Sequence, residues 1–327
     1  MHSIETRSLT KSFGNMTAVD DVSMTVQEGE IFGFLGPNGA GKSTTMMILT
    51  TLLRPTSGQA LIAGHDVSTD PKRVRENIGY VQQETTADEY LTGRENLLLQ
   101  ARLSHMEKKD IDSRIDAVLA LVELEDRQND PVVVYSGGMR KRLDIAGGLL
   151  HRPRVLFLDE PTVGLDIQTR TKLWEYIRRI HTESEMTVFL STHYMEEADR
   201  LCDRIGIIDS GRMQAVDSPE NMKKGMGGEM ISITVDARND MFLSALSVMN
   251  QAEVTGDGQK IKILTSDGTR LMPDIFEAAL KCKAKIESVS LERPTLDDVF
   301  ISYTGRQIRD ERFNRQREHA KMRRLRA

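Results

Sequence analysis

The stretch Gly36-Pro37-Asn38-Gly39-Ala40-Gly41-Lys42-Ser43-Thr44 decides the fold of this chain. It fits the pattern G-x-x-x-x-G-K-[ST], with a short apolar run before it at 30–35 and an apolar helical pattern after it at 44–53. Glycines let consecutive backbone N–H groups turn inward around phosphate oxygens without Cβ clashes. The start of the following helix adds unpaired donors and partial positive charge. Lys42 supplies a full charge against β- and γ-phosphates, and the Ser43 hydroxyl is suited to Mg²⁺. Gly36, Asn38, Gly39, Gly41 and Thr44 complete the expected cradle. Strand, glycine loop and helix in this order imply a nucleoside triphosphate site in an α/β domain.

Further along, Val155-Leu156-Phe157-Leu158-Asp159-Glu160 reads as a buried strand ending in two carboxylates. Taken alone, such an ending is more often structural. Beside a phosphate loop it has chemistry to do: Asp159 to hold the Mg²⁺ shell, and Glu160 to orient and deprotonate an attacking water. Apolar runs at 154–158 and 187–191 flank a helix that carries Leu173, Trp174, Ile177 and Ile180. This alternation predicts a mostly parallel sheet with phosphate chemistry at the carboxyl ends of its strands. Between the phosphate loop and the run at 154–158, 89–124 is rich in Leu, Glu, Lys and Arg at helical spacing and reads as part of a helical insertion spanning about 85–150.

After Ser218-Pro219 the character changes. Residues 223–228 read as a linker, followed by a strand at 230–235, a helix at 241–250 and a strand near 253–255. A turn at Gly256-Asp257-Gly258 leads to a strand at 260–265, a helix at 270–281 and a strand at 285–291. That β-α-β-β-α-β order predicts a small α+β, ferredoxin-like unit. The expected domains are 1–222, 223–305 and a basic tail at 306–327.

Composition narrows the class. Of the 327 residues 39% are apolar and 28% charged, as in ordinary globular proteins. No run approaches the roughly 18 to 20 apolar residues of a membrane span, and the start lacks the apolar core of a secretion signal, so a cytoplasmic location is expected. Cys202 and Cys282 are far apart and read as packed, reduced thiols. The tail carries nine Lys/Arg against three Asp/Glu, a net of +6, so with a net charge of −5 overall the rest of the chain carries −11. An acidic body argues against a nucleic-acid binder. The tail reads as a solvated segment, with contact to anionic lipid headgroups as the other reading.

Tyr135-Ser136-Gly137-Gly138-Met139-Arg140-Lys141-Arg142 resembles the signature motif of ABC transporter ATPases, usually L-S-G-G-Q. The resemblance implies a P-loop NTPase (ABC ATPase) domain. It also implies a head-to-tail homodimer that sandwiches two ATP between the phosphate loop of one subunit and Ser136, Gly137 and Gly138 of the other. Met139 stands where the general pattern has Gln, which removes one polar contact and leaves the serine and both glycines. By the same resemblance Gln83 is the glutamine that reaches Mg²⁺ and water, with Gln82 as its adjacent competitor. His193 is the switch histidine at the γ-phosphate, Phe13 stacks on adenine, and Asp166 communicates across the dimer. Arg293-Pro294-Thr295-Leu296-Asp297-Asp298-Val299-Phe300, with Thr304-Gly305, resembles the ending of daunorubicin-resistance-type ABC-2 export ATPases. These resemblances imply an ATP-hydrolysing subunit, peripheral on the cytoplasmic face of the cell membrane. It would drive a separate transmembrane permease that exports a drug or other hydrophobic substrate. The alternative is a soluble, non-transport ABC ATPase acting on nucleic acid or protein. Such proteins usually carry paired ATPase domains, long coiled coils or zinc modules.

Overall fold

The computed structural model describes residues 2–226, 228–247, 252–256, 259–265 and 267–305. The tail at 306–327, the Asp257-Gly258 turn and the expected helix end at 248–250 lie outside the described residues. The chain forms two compact units that divide between Asp217 and Ser218.

The first unit runs β1 (His2–Phe13), β2 (Met16–Gln27), β3 (Ile31–Leu35), α1 (Lys42–Leu49), β4 (Ser57–Ile62), β5 (His65–Asp66), α2 (Pro71–Asn77) and β6 (Ile78–Val81). It continues with α3 (Gly93–Leu103), α4 (Lys108–Leu121), α5 (Gly137–Leu149), β7 (Val155–Asp159), α6 (Ile167–Ser184), β8 (Thr187–Thr192), α7 (Met195–Leu201), β9 (Arg204–Asp209) and β10 (Arg212–Asp217). The central sheet has the order β10-β9-β3-β8-β7-β6. Its four pairings from β9 to β6 are all parallel, and only β10 joins antiparallel, at the edge. Every residue of β3, β7 and β8 is buried, which is why these strands read as unbroken apolar runs rather than alternating ones. Phe189 of β8 stacks among Phe32, Phe34 and Phe157 with ring centroids 5.5–5.6 Å apart. This pins the register of neighbouring strands, and each such pair adds about 1 kcal/mol.

A second, antiparallel sheet, β2-β1-β4-β5, shares that core: Ile4, Val22, Met24, Ala60 and Ile62 pack with Met46, Leu49 and Phe157. The sequence reading did not anticipate this sheet. Bulges in β1 and β2 break strict alternation, with Ser8 and Asp21 at positive φ. Helices α3, α4 and α5 pack on one another as the expected helical insertion. Thr92 and Glu95 form a capping box at the start of α3.

The second unit contains α8 (Pro219–Lys224), β11 (Glu229–Val235), α9 (Asp240–Ser247), β12 (Ala252–Gly256), β13 (Lys260–Thr265), α10 (Gly268–Lys281), β14 (Ile286–Glu292) and α11 (Leu296–Thr304). Its antiparallel sheet has the order β12-β13-β11-β14, that of the expected ferredoxin-like unit. Phe242 and Leu246 of α9 and Ile275 and Ala279 of α10 cover Ile231, Ile233, Ile261 and Ile263. The segment read as a linker from 223 begins inside α8. Ser218 caps that helix and Pro219 opens it, so the second unit starts at 218. Among the described residues no helix is long and apolar enough to cross a membrane.

Candidate active site

The phosphate loop leaves β3 at Gly36, whose N–H donates to the Thr192 carbonyl (3.2 Å) and ties the loop to the end of β8. A Cβ on Gly36 would lie 2.4 Å from the Ile208 carbonyl oxygen, and one on Gly41 would lie 2.5 Å from that of Ala18. Gly41 also sits at φ 104°. It occupies the N-cap of α1 and offers no side-chain cap, so the first-turn amides are left for an anion. Lys42 is 4% exposed. Its ammonium donates to the carbonyls of Gly36 (2.9 Å) and Pro37 (3.1 Å) and lies 3.0 Å from Glu160 Oε1. Each of its three hydrogens thus has an acceptor.

Strand β7 presents Asp159 beside Ser191 of β8. The Ser191 hydroxyl donates to Asp159 Oδ1 (2.6 Å), while the Glu160 N–H donates to both the hydroxyl (3.1 Å) and the carbonyl (3.2 Å) of Ser191. Glu160 sits at φ 44°, a left-handed conformation that costs a residue with a Cβ about 1–3 kcal/mol. The turn brings its carboxylate to Lys42 on one side and to His193 Nδ1 (3.2 Å) on the other. The imidazole contact is at ion-pair distance without the alignment of an N–H···O bond. Burial pushes the Glu160 carboxyl up, but His193 and the Lys42 ammonium outweigh it and hold it below the usual carboxylate value. Asp159 goes the other way. Burial raises it, the Ser191 hydrogen bond opposes, and the charge on Glu160 adds to the rise. A cation beside Asp159 would reverse that shift. The Ser43 hydroxyl lies 3.4 Å from Asp159 Oδ1, so two hard oxygen donors stand side by side. This donor set fits Mg²⁺, which takes few protein oxygens and fills its shell with phosphate and water.

Asn38, Gly39, Gly41, Lys42, Ser43, Thr44, Gln83, Glu160 and His193 line one cleft of about 510 Å³. Phe13 does not line it. Its ring is 44% exposed with the Lys11 ammonium over it at 5.1 Å, and its partner across the hairpin, Met16, reaches the cleft together with Ala18. Sequence reasoning missed Met16, Ala18 and Ser191. The one usable signal was a hydroxyl at the end of a buried strand, two residues before His193.

Ser136 and Gly138 line a separate cavity of about 370 Å³. The Ser136 hydroxyl accepts from the Met139 N–H (3.2 Å), which caps α5 and leaves its own hydrogen to donate. The Asp166 carboxylate caps α6 by accepting from Thr169 N–H (3.0 Å) and hydroxyl (2.7 Å). A Cβ on Gly138 would lie 2.4 Å from Thr169 Cγ2, and one on Gly137 would lie 3.4 Å from Leu165. The serine-glycine turn and the turn at 164–169 are therefore packed against each other.

A family model described as ABC transporter matches residues 19–163, and one described as ATP-binding protein DrrA1-3-like, C-terminal domain, matches 218–304. Daunorubicin resistance ATP-binding protein DrrA3 of Streptomyces coeruleorubidus is 38% identical over 90% of this chain and 93% of its own. The chain belongs to the ABC transporter ATP-binding family. Linearmycin resistance ATP-binding protein LnrL of Bacillus subtilis is 34% identical over 94% of this chain and 100% of its own. Among solved structures, cbiO1 of Clostridium perfringens, part of the ABC transporter complex cbiONQ, is similar with a TM-score of 0.63 at 26% identity, over 67% of this chain and 90% of that one. A dimeric ATP-binding cassette in a post-hydrolysis state with ADP and Pi has a TM-score of 0.59 at 28% identity, over 66% and 98%. This subunit is accordingly an ATPase of the P-loop NTPase fold.

Proposed function

We propose that this ATPase powers an exporter: a head-to-tail homodimer, peripheral on the cytoplasmic face of the membrane, drives a separate transmembrane permease that moves a drug or other hydrophobic molecule outward. One observation carries the reading. The likeness to antibiotic-resistance ATP-binding proteins runs through both units, including a C-terminal domain model of that subfamily at 218–304. A soluble ATPase acting on nucleic acid or protein has no such support.

In this reading Lys42 exchanges Glu160 for the β- and γ-phosphates, aided by the amides of the loop from Gly36 to Thr44. Released from the ammonium, Glu160 accepts a proton from the attacking water, oriented with Gln83, while His193 holds the γ-phosphate. Ser43, Asp159 and Gln83 would hold Mg²⁺, which when bound would supply charge neutralisation on the transferred phosphoryl group. Ser136, Gly137 and Gly138 close on the γ-phosphate bound to the other subunit, with Asp166 at the seam. In this reading Phe13, paired across the hairpin with Met16, which lines the cleft, stacks on adenine.

The test is Glu160→Gln in the full chain with ATP and Mg²⁺. Turnover should fall by at least about a hundredfold while an ATP-bound dimer accumulates. Normal turnover would sink the assignment of Glu160. In the native host, replacing the chain with the same variant should raise sensitivity to amphiphilic drugs, and unchanged sensitivity to a panel of them would argue against drug export.

A further inference from the structure

The segment from Gln82 to Thr86 follows β6 with exposed side chains and forms no strand or helix. Its backbone is nevertheless held, and by charges. Lys141, only 5% exposed, stands one turn into α5 and donates from Nζ to the carbonyls of Gln82 (2.8 Å) and Gln83 (2.9 Å). Asp144, three residues on and also buried, accepts at Oδ1 from the N–H and the hydroxyl of Thr86, each at 3.2 Å. The two charges are not placed chiefly for each other: Nζ and Oδ2 are 4.0 Å apart, and Oδ2 has no hydrogen-bond partner among the described residues. Burying an ammonium and a carboxylate is costly, and apolar residues of similar volume usually serve stability as well or better. What this pair does that apolar side chains cannot is grip both ends of a loop that carries Gln83.

The same helix begins at Gly137 and Gly138. We infer that Lys141 and Asp144 are positioning residues that fasten the Gln83 segment to α5, so that any displacement of the serine-glycine turn is passed to Gln83 in the phosphate cleft. This rests on the assignment of Gln83 made above.

The experiment measures MgATP turnover by the full-length chain for wild type, Gln83→Ala, Lys141→Met, the Gln83→Ala/Lys141→Met double variant and Lys141→Met/Asp144→Asn. Gln83→Ala and Lys141→Met should each lower kcat about ten- to a hundredfold, with KM for ATP little changed, because they misplace one group in the site. Combining them should cost nothing beyond Gln83→Ala alone, to within about twofold, because both act through one side chain. Lys141→Met/Asp144→Asn leaves no unpaired buried charge, so it should keep the wild-type unfolding midpoint and still show the low kcat. Full additivity with Gln83→Ala, wild-type kcat in Lys141→Met, or recovery of kcat in Lys141→Met/Asp144→Asn would overturn the inference. If Gln83→Ala itself turned over as wild type, the assignment of Gln83 would fall first and take this proposal with it.

Discussion

Replacing Lys42 with Met tests the electrostatics of the site without any nucleotide. Met keeps most of the stem and removes the ammonium. The carbonyls of Gly36 and Pro37 then lose donors at 2.9 and 3.1 Å, and Glu160 loses the cation 3.0 Å from Oε1 while staying buried. Breaking a buried pair from one side costs about 3–5 kcal/mol. His193, still 3.2 Å from Oε2, offsets part of this, which puts the expected loss at the lower end, about 3 kcal/mol at pH 7.5. Glu160→Gln should cost less, about 1–2 kcal/mol, since Lys42 keeps both carbonyls. The double variant holds no buried charge and should fall short of the sum by about 1–3 kcal/mol.

The pH dependence has a definite sign. The folded Glu160 carboxyl lies below its ordinary value, so the stability it contributes is present above about pH 4.3 and is lost as pH falls through the folded value. Lys42 supplies part of that depression, so the gap between wild type and Lys42→Met should narrow as pH falls toward about 4. Urea unfolding followed by Trp174, the chain's single tryptophan, reads the first unit by itself. A loss under about 1 kcal/mol at pH 7.5, or one that grows on acidification, would refute the reasoning.

Gly36→Ala drives a Cβ to 2.4 Å from the Ile208 carbonyl, a backbone atom that cannot move alone. It should cost about 1–3 kcal/mol, or roughly 3–10 °C in Tm by calorimetry, and an unchanged Tm would mean β9 yields freely. Gly138→Ala meets Thr169 Cγ2 at 2.4 Å, whereas the Thr169 hydroxyl is the group that Asp166 holds. Thr169→Ser removes the methyl and keeps the hydroxyl, so it should restore most of the stability that Gly138→Ala loses; a double variant no better than the single would contradict this. Glu197 is 0% exposed, accepts from Trp174 Nε1 at 2.9 Å, and is pushed up by burial. Its folded form favours the proton, so wild-type stability should fall as pH rises above about 4.3. Glu197→Gln keeps an acceptor and should gain on wild type from pH 4 to pH 8 in urea titrations; a wild-type advantage at the alkaline end would count against it.

The half of the candidate site that holds the phosphate loop and the two carboxylates was legible because its pattern is local in sequence. The phosphate loop, the Asp159-Glu160 pair and His193 each sit where a buried strand ends, and a parallel sheet places those ends together. The ferredoxin-like unit could be read for a similar reason: its elements follow one another with turns between them. What escaped the sequence depends on contacts between distant residues. The sheet β2-β1-β4-β5 is assembled across bulges that blur the period of two. Ser191 matters through its register with Asp159, which no one-dimensional pattern carries. Met16 and Ala18 reach the cleft only because β2 runs behind Gly41. Lys141 sits inside a quoted motif, yet nothing in that motif says its ammonium points at the carbonyls of residues about sixty positions earlier.

Two kinds of attachment divide the site. Asp159, Glu160 and His193 hang at the ends of β7 and β8, strands buried on both faces and laddered to each other and to β3. Lys42, at the start of α1, is tied by its ammonium to the Gly36 and Pro37 carbonyls just past β3. Moving any of them means disturbing the sheet or the Ser191 bridge. Gln83 hangs beyond the last ladder pair of β6 at Val81, on a segment whose backbone is held by α5 instead. Close-packed cores shift between discrete arrangements rather than deform smoothly. A site with most of its groups on one sheet and one group on a helical arm is therefore expected to change state by moving the arm. Structural change on ATP binding should accordingly fall on Gln83 and α5 and leave the Asp159-Glu160-Ser191 cluster in place.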